Sequence, residues 1–254
     1  MESEQVEDEA RTVVWFSAGA ASAVAAKLTL LDTPSAVIAY VDTGSEHPDN
    51  ERFLADCEEW FGVEIMRLKS HRHKDIWDVF EKERYLNGPS GAKCTVELKK
   101  KVRFRFERPT DRQIFGYTSE EAKRADRFRE QNPGVDLITP LIDRELTKTD
   151  CLAIIDRAGI DIPAMYLLGY NNNNCIGCVR GGMGYWNKIR VDFPEIFERM
   201  SEVEVTLGRS ILRDGNGDQV PLRTLDPERG RGLKEPSFEC SIMCSAAEDE
   251  IDDE

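Results

Sequence analysis

The sequence predicts an α/β fold: a parallel sheet of about five strands with helices on both faces, followed by a small cysteine-bearing C-terminal part. Three observations predict it. Short apolar, β-rich runs alternate with stretches of helical spacing, as expected where crossover helices join parallel strands. The first run is followed at once by small residues that suit a tight turn into a helix. The second ends in Asp42-Thr43-Gly44, a polar strand end.

Each element follows from its own residues. TVVWF at 12–16 is a buried strand, SAGAASAVAA at 17–26 a turn and helix opening, and AVIAYV at 36–41 a second buried strand. Residues 50–61 have helical spacing, with Phe53, Leu54, Cys57 and Trp60 or Phe61 on one face. Residues 64–68 form a third strand and 75–85 a helix. NGPSGA at 87–92 reads as a loop leading to Cys94, and RQIFGY at 112–117 as a fourth strand. Residues 119–131 form a charged helix capped by Ser119. Residues 140–143 lie in a loop before a helix over 149–158, which Lys148-Thr149-Asp150 opens. Four asparagines at 171–174 are too turn-prone for regular structure and deliver the chain to Cys175. From 215 to 236 the composition shifts to Gly, Pro, Arg and Asp, an irregular or mobile arm.

Composition narrows the function. With 254 residues, 40% hydrophobic and 32% charged, the chain can bury a substantial core. No apolar run approaches the ~20 residues that cross a bilayer. The acidic N-terminus lacks the layout of a signal peptide, so the expected location is cytoplasmic, where the seven cysteines stay reduced. A formal charge of −14 argues against gripping duplex DNA by bulk electrostatics. A nucleic-acid substrate would need a local patch, and the candidate is the run from Lys99 to Arg108 (KKKVRFRFER). Its plainer reading is a solvated amphipathic helix or edge strand.

A strand, then Ser17-Ala18-Gly19-Ala20-Ala21-Ser22, then a helix has the makings of an anion site. Small residues let the backbone approach a phosphate, and the first helical N–H groups point at it. Asp42, Thr43 and Gly44 end the next strand, and ligands of open α/β sheets bind outside the carboxyl ends of strands. The S-x-G-x-x-S turn, the DTGSEHP segment and their spacing resemble the PP-loop superfamily, and within it the phosphoadenosine phosphosulfate (PAPS) reductase family. Gly116-Tyr117 followed by Glu120, Glu121 and Arg124 agrees, as do Pro140-Leu141-Ile142 and the stretch from Ile160 to Cys178. The resemblance covers roughly Val13 to Met200. It implies that Ser17, Gly19 and Ser22 hold phosphate or sulfate oxygens, that Asp42, Thr43 and Gly44 line the nucleotide site, and that Arg124 neutralises phosphate charge. It divides the chain into an acidic tail (1–11), a PP-loop nucleotide-binding domain (12–170), a cysteine-bearing region with a Gly/Pro-rich arm (171–246) and a second acidic tail (247–254). ATP-cleaving members usually carry SGGxDS, whereas this chain has Ala18 in place of a glycine and Ala21 in place of the aspartate. That departure weakens metal-assisted cleavage between the α- and β-phosphates and suits a PAPS-like nucleotide.

The cysteines are the sharpest feature. Cys175-Ile-Gly-Cys178 can turn two thiolates toward one metal or cluster, with Gly181-Gly182 leaving room beside it. Cluster-bearing relatives often have adjacent cysteines where this chain has Cys94-Thr95, so three of the usual ligands remain. Glu239-Cys240 resembles the Glu-Cys-Gly-Leu-His end of PAPS reductases, whose cysteine attacks the sulfate sulfur. Arg229, Arg231 and Lys234 are available to activate it. Alternatively Cys240 and Cys244 join Cys175 and Cys178 in a zinc or iron–sulfur site. Cys57 and Cys151 read as packing thiols; His71 and His73 share one face if extended and could ligate metal, but read first as residues of an exposed loop; Trp186, beside Tyr185, could stack on a base but reads first as packing, as do Met183 and Met200.

Three functions follow. The first is a PAPS reductase-type oxidoreductase that takes PAPS or the unphosphorylated sulfate (APS), with Cys240 as nucleophile and a thioredoxin-like thiol donor as partner. The second is a PP-loop sulfurtransferase that uses ATP and a 4Fe–4S cluster on Cys94, Cys175 and Cys178 to modify a nucleic-acid base. The third is a nucleotide-binding regulatory module, its altered loop without catalysis, whose cysteines hold a structural metal.

Overall fold

A computed structural model describes residues 10–88, 91–173 and 175–230. In chain order, β1 (Thr12–Phe16), α1 (Ala20–Asp32), β2 (Val37–Asp42), α2 (Asn50–Phe61) and β3 (Ile65–Lys69) come first. They are followed by α3 (Ile76–Glu83), β4 (Asn87–Gly88), β5 (Gly91–Ala92), α4 (Lys93–Thr95), a π-helical segment (Val96–Lys100) and α5 (Lys101–Phe106). Next are β6 (Arg112–Ile114), α6 (Ala122–Gln131), β7 (Asp136–Ile138), α7 (Pro140–Asp143), α8 (Lys148–Arg157) and α9 (Ala164–Leu167). The last are α10 (Met183–Asp192), α11 (Pro194–Leu207), β8 (Leu212–Arg213) and β9 (Gln219–Val220).

The α/β fold expected from the sequence is present. Five strands form a parallel sheet in the order β3-β2-β1-β6-β7, with Phe16 opposite Tyr40 and Val14 opposite Ile114. The chain winds outward through β2 and β3, then crosses to β6 and β7. The strand order therefore reverses beside β1, and the carboxyl ends of β1 and β6 flank that point.

The described residues fall into two compact units that interleave along the chain. One holds 10–41, 48–68 and 104–173; the other holds 42–47, 69–103 and 175–230. In the first, β1 is buried along its whole length, and α1 lies against it with Ala20, Ala23, Val24, Ala25 and Ala26 fully buried. Alanines let the helix approach the sheet closely. Phe16, Phe53 and Phe61 pack into the same core as these alanines. Cys57 and Cys151 belong to this core; burial raises both thiol pKa values, that of Cys151 to about 12. In the second unit Trp77, Phe80, Leu98, Trp186, Phe197 and Met200 are buried.

Several local expectations need correction. Residues 87–92 contain the two paired strands β4 and β5 rather than a plain loop. The charged helix starts with a 3-10 turn (Ser119–Glu121), and its cap is Thr118, whose N–H donates to Glu121 Oε2 at 3.2 Å. Pro140–Asp143 is helical, with proline in the first turn where its missing N–H costs nothing. Thr147 caps α8, its hydroxyl accepting from the Asp150 N–H at 3.1 Å. Residues 215–230 carry β9 and a 3-10 turn (Leu222–Thr224). The rest of the expected arm, 231–236, lies outside the described residues, as do Cys240 and Cys244.

The run from Lys99 to Arg108 is helical through residue 106, but it is not a uniformly solvated face. Lys100 and Arg103 are buried, while Phe104, Arg105 and Arg108 are exposed. His73 also departs from expectation: its ring is buried, whereas His71 is exposed. Met183 is half-buried, while Met200, Tyr185 and Trp186 are buried.

Candidate functional sites

In the first unit the turn after β1 is built around Ser22. Its hydroxyl donates to the Gly19 carbonyl at 3.0 Å and accepts from the Ser17 N–H at 3.1 Å. The Ser17 hydroxyl lies 3.0 Å from it. Ser22 therefore shapes the turn, while Ser17 is exposed and able to meet a ligand. Gly19 is the N-cap of α1, so the first N–H groups of the helix, which have no intrahelical acceptor, open at this turn.

Ala18 sits at φ 55°, the left-handed region that L-residues enter at a cost of about 1–2 kcal/mol. Burial of its methyl, worth about 0.8 kcal/mol, offsets part of that cost. The geometry explains why a glycine suits this position and why alanine is tolerated.

Gly116, just past β6, lies against the same turn. A Cβ there would stand 2.7 Å from Ser22 Cα and 2.8 Å from Ser22 N. The two carboxyl-end segments thus meet at the reversal of strand order, where open α/β sheets bind ligands. Arg124 is in this unit. Its guanidinium donates to Glu121 at 2.6 Å and lies 5.3 Å from the Tyr117 ring centre, so a phosphate would share it with Glu121.

Sequence reasoning missed Asn173. Its buried amide donates to the Ala18 carbonyl at 2.7 Å and to Asn50 Oδ1 at 2.8 Å, which fixes the turn from the other end of the unit's chain. Lys148 tethers the asparagines just before it, reaching Asn172 Oδ1 at 2.9 Å and the Asn171 carbonyl. The signal was the asparagine run itself, read only as a breaker.

The second unit gathers the thiols. Cys94, Cys175 and Cys178 line one pocket together with Thr43 and Lys99, closed by Ile76, Phe80, Leu98 and Val179. No disulfide forms among the described cysteines. Thr43 Oγ1 donates to Glu46 Oε1 at 2.6 Å and lies 3.1 Å from Cys175 Sγ. Asp42 accepts from the Gly44 N–H at 2.8 Å and pairs with Lys69 at 2.8 Å. Gly44 is at φ 66°, and a Cβ on it would reach 2.2 Å from the Lys74 carbonyl oxygen, so only glycine fits this turn.

The Cys175–Cys178 bend is held by a residue whose role the sequence did not reveal. The Tyr185 hydroxyl accepts from the N–H groups of Gly177 and Cys178, both at 3.0 Å, and lies 3.4 Å from the Cys175 carbonyl. Burial pushes the pKa of this phenol well up. Thiols are the donor type that zinc and iron–sulfur clusters take, and Lys99 lines the same pocket. Arg229 is exposed; Arg231, Lys234, Cys240 and Cys244 lie outside the described residues.

Comparison with models of known families gives no match, and neither does comparison with curated proteins. The fold therefore defines the class: an α/β protein whose five-stranded parallel sheet is compatible with a Rossmann-like nucleotide-binding fold. Among the described residues, no helix is long and apolar enough to cross a membrane.

Proposed function

We propose that this protein binds an adenine nucleotide on the turn from Ser17 to Ser22 and performs sulfur chemistry of the PAPS reductase type. The observation that carries the reading is the convergence of Cys94, Cys175 and Cys178 on one pocket, in a chain whose other half offers a phosphate-suited turn. The three thiolates would hold a 4Fe–4S cluster, a group that takes cysteine thiolates as its ligands. Cys240 is the nucleophile. Its thiolate attacks the sulfate sulfur, an S–S bond forms, and the S–O bond to the phosphate breaks. The nucleotide leaves as its phosphate, and the enzyme keeps a cysteine S-sulfonate. A dithiol donor of the thioredoxin kind then attacks Cys240 Sγ and releases sulfite. Its second thiol frees Cys240, and the donor ends as a disulfide. Ala21 in place of an acidic loop residue supports this choice, because no pyrophosphate has to leave.

The test is anaerobic purification of wild type and Cys240→Ser with iron and acid-labile sulfide analysis, followed by sulfite release from PAPS and APS. Roughly four irons per chain are expected in both proteins, with sulfite formed only by wild type. Wild type without iron removes the cluster. Iron lost in Cys240→Ser makes that residue a ligand and removes the reduction step.

A second reading rests on there being three cysteines in the pocket. A cluster with three protein ligands keeps one iron open to sulfide, as a sulfurtransferase acting on an adenylated base requires. Formation of AMP from ATP that depends on added RNA would favour it.

A further inference from the structure

In the second unit, outside the thiol pocket, we propose a buried binding site for a divalent transition metal made by His73, Glu83 and Glu97. The ligand atoms of these three residues all lie within 4.8 Å of one another. His73 Nε2 is 3.1 Å from Glu83 Oε1 and 3.7 Å from Glu97 Oε2. A tetrahedral ion with bonds of about 2.1 Å to nitrogen and oxygen separates its ligand atoms by about 3.4 Å, midway between those two values.

Burial makes the arrangement costly without a ligand. The side chains of His73 and Glu97 are 1% and 2% exposed, yet His73 Nε2 and Glu97 Oε2 make no hydrogen bond. A buried polar atom left unsatisfied is destabilising, and two of them, His73 Nε2 and Glu97 Oε2, face each other here. Glu97 divides its labour: Oε1 faces Lys101 at 3.1 Å and Lys93 at 3.8 Å, while Oε2 faces the imidazole. Arg72 stands 3.8 Å from Glu83 Oε1. On the other side of the ring, Asp78 Oδ2 is 3.3 Å from Nδ1 and also pairs with Lys82. Metal-bound histidines commonly present their second N–H to a carboxylate in this way, which fixes the tautomer that turns Nε2 to the ion.

The backbone supports the site. Glu97 lies in the π-helical segment Val96–Lys100, a conformation found in well under 1% of residues and often where function requires it. One imidazole and two carboxylates match zinc, manganese or ferrous iron rather than copper(I). Cys94, three residues before Glu97, lines the thiol pocket. The ion would therefore pin the segment that carries that thiol.

The test uses the full-length protein with its thiols alkylated and its metals removed by chelation, so that cysteines cannot report. Titration with Co2+ should give weak d–d bands without sulfur charge transfer, saturating at one equivalent. Mn2+ followed by electron paramagnetic resonance should show one bound ion. Glu97→Gln and His73→Gln are expected to weaken binding more than 100-fold, and Asp78→Asn about 10–100-fold, with unchanged circular dichroism. Stoichiometric binding that survives Glu97→Gln overturns the assignment. So does wild type that binds neither ion. If the variants do not fold, the wild-type spectrum alone decides, because absence of the nitrogen- and oxygen-ligated bands refutes the site.

Discussion

Gly116 is the residue on which the turn after β1 most visibly depends. A methyl group there has no room against the first turn of α1, because the atoms it would strike, Ser22 Cα and N, are backbone rather than a side-chain tip. Gly116→Ala must displace the helix start or the strand end, and overpacking of this kind costs about 1–3 kcal/mol. The turn proposed to bind the nucleotide would move with it. Calorimetric titration with an adenine nucleotide should show at least a tenfold loss of affinity, with a lowered urea midpoint. Unchanged affinity would place the nucleotide elsewhere. In the sequence Gly116 stood out only beside a tyrosine and two glutamates; its contact with Ser22 spans 94 positions and has no local signature.

At the scale of elements, the Cys175–Cys178 bend rests on α10. Tyr185 reaches back from that helix and satisfies two backbone N–H groups with one oxygen. Tyr185→Phe leaves both donors buried and unpaired, at about 1–3 kcal/mol each, and should lower the iron or zinc retained on gel filtration while keeping the fold. Metal content equal to wild type would show that the bend holds itself. The thiols were legible because cysteine spacing is a local pattern. Tyr185 was not, since its partners are main-chain atoms with no side chain to announce them. His73 was misread for a related reason: its neighbours, Arg72 and Lys74, are charged, and its burial depends on Glu83 and Glu97, which α3 and the π-helical segment bring to it. The sheet was legible throughout in outline, because alternating apolar runs and small-residue turns act locally. Its three-residue last strand, β7, is too short to carry such a pattern.

For the molecule as a whole, one buried carboxylate leaves a signature in the pH dependence of unfolding. Glu204, on α11, has its pKa raised first by burial, against the pull of the Leu222 and Ile211 N–H groups that it accepts at 2.7 and 2.8 Å. The folded protein then keeps a proton that the unfolded chain has lost. Stability from this group is fully present below the ordinary carboxyl range and declines as pH rises above it. Wild type should therefore lose its advantage over Glu204→Gln as pH rises above the ordinary glutamate range of about 4, read as the difference in urea midpoints. Parallel curves would show that Glu204 titrates alike in both states. The interleaving of the two units lies beyond sequence reading altogether, because each is assembled from stretches with no shared composition.

That interleaving also sets a schedule. Cys94 precedes Cys175 by 81 positions, and at about 5–20 residues per second the ribosome needs roughly 4–16 s to make that span. For that interval the first thiol of the pocket exists without its two companions. Any metal group held by these three thiols could therefore form only after Cys178 has been made, and a nascent chain halted before that residue could not be loaded with it.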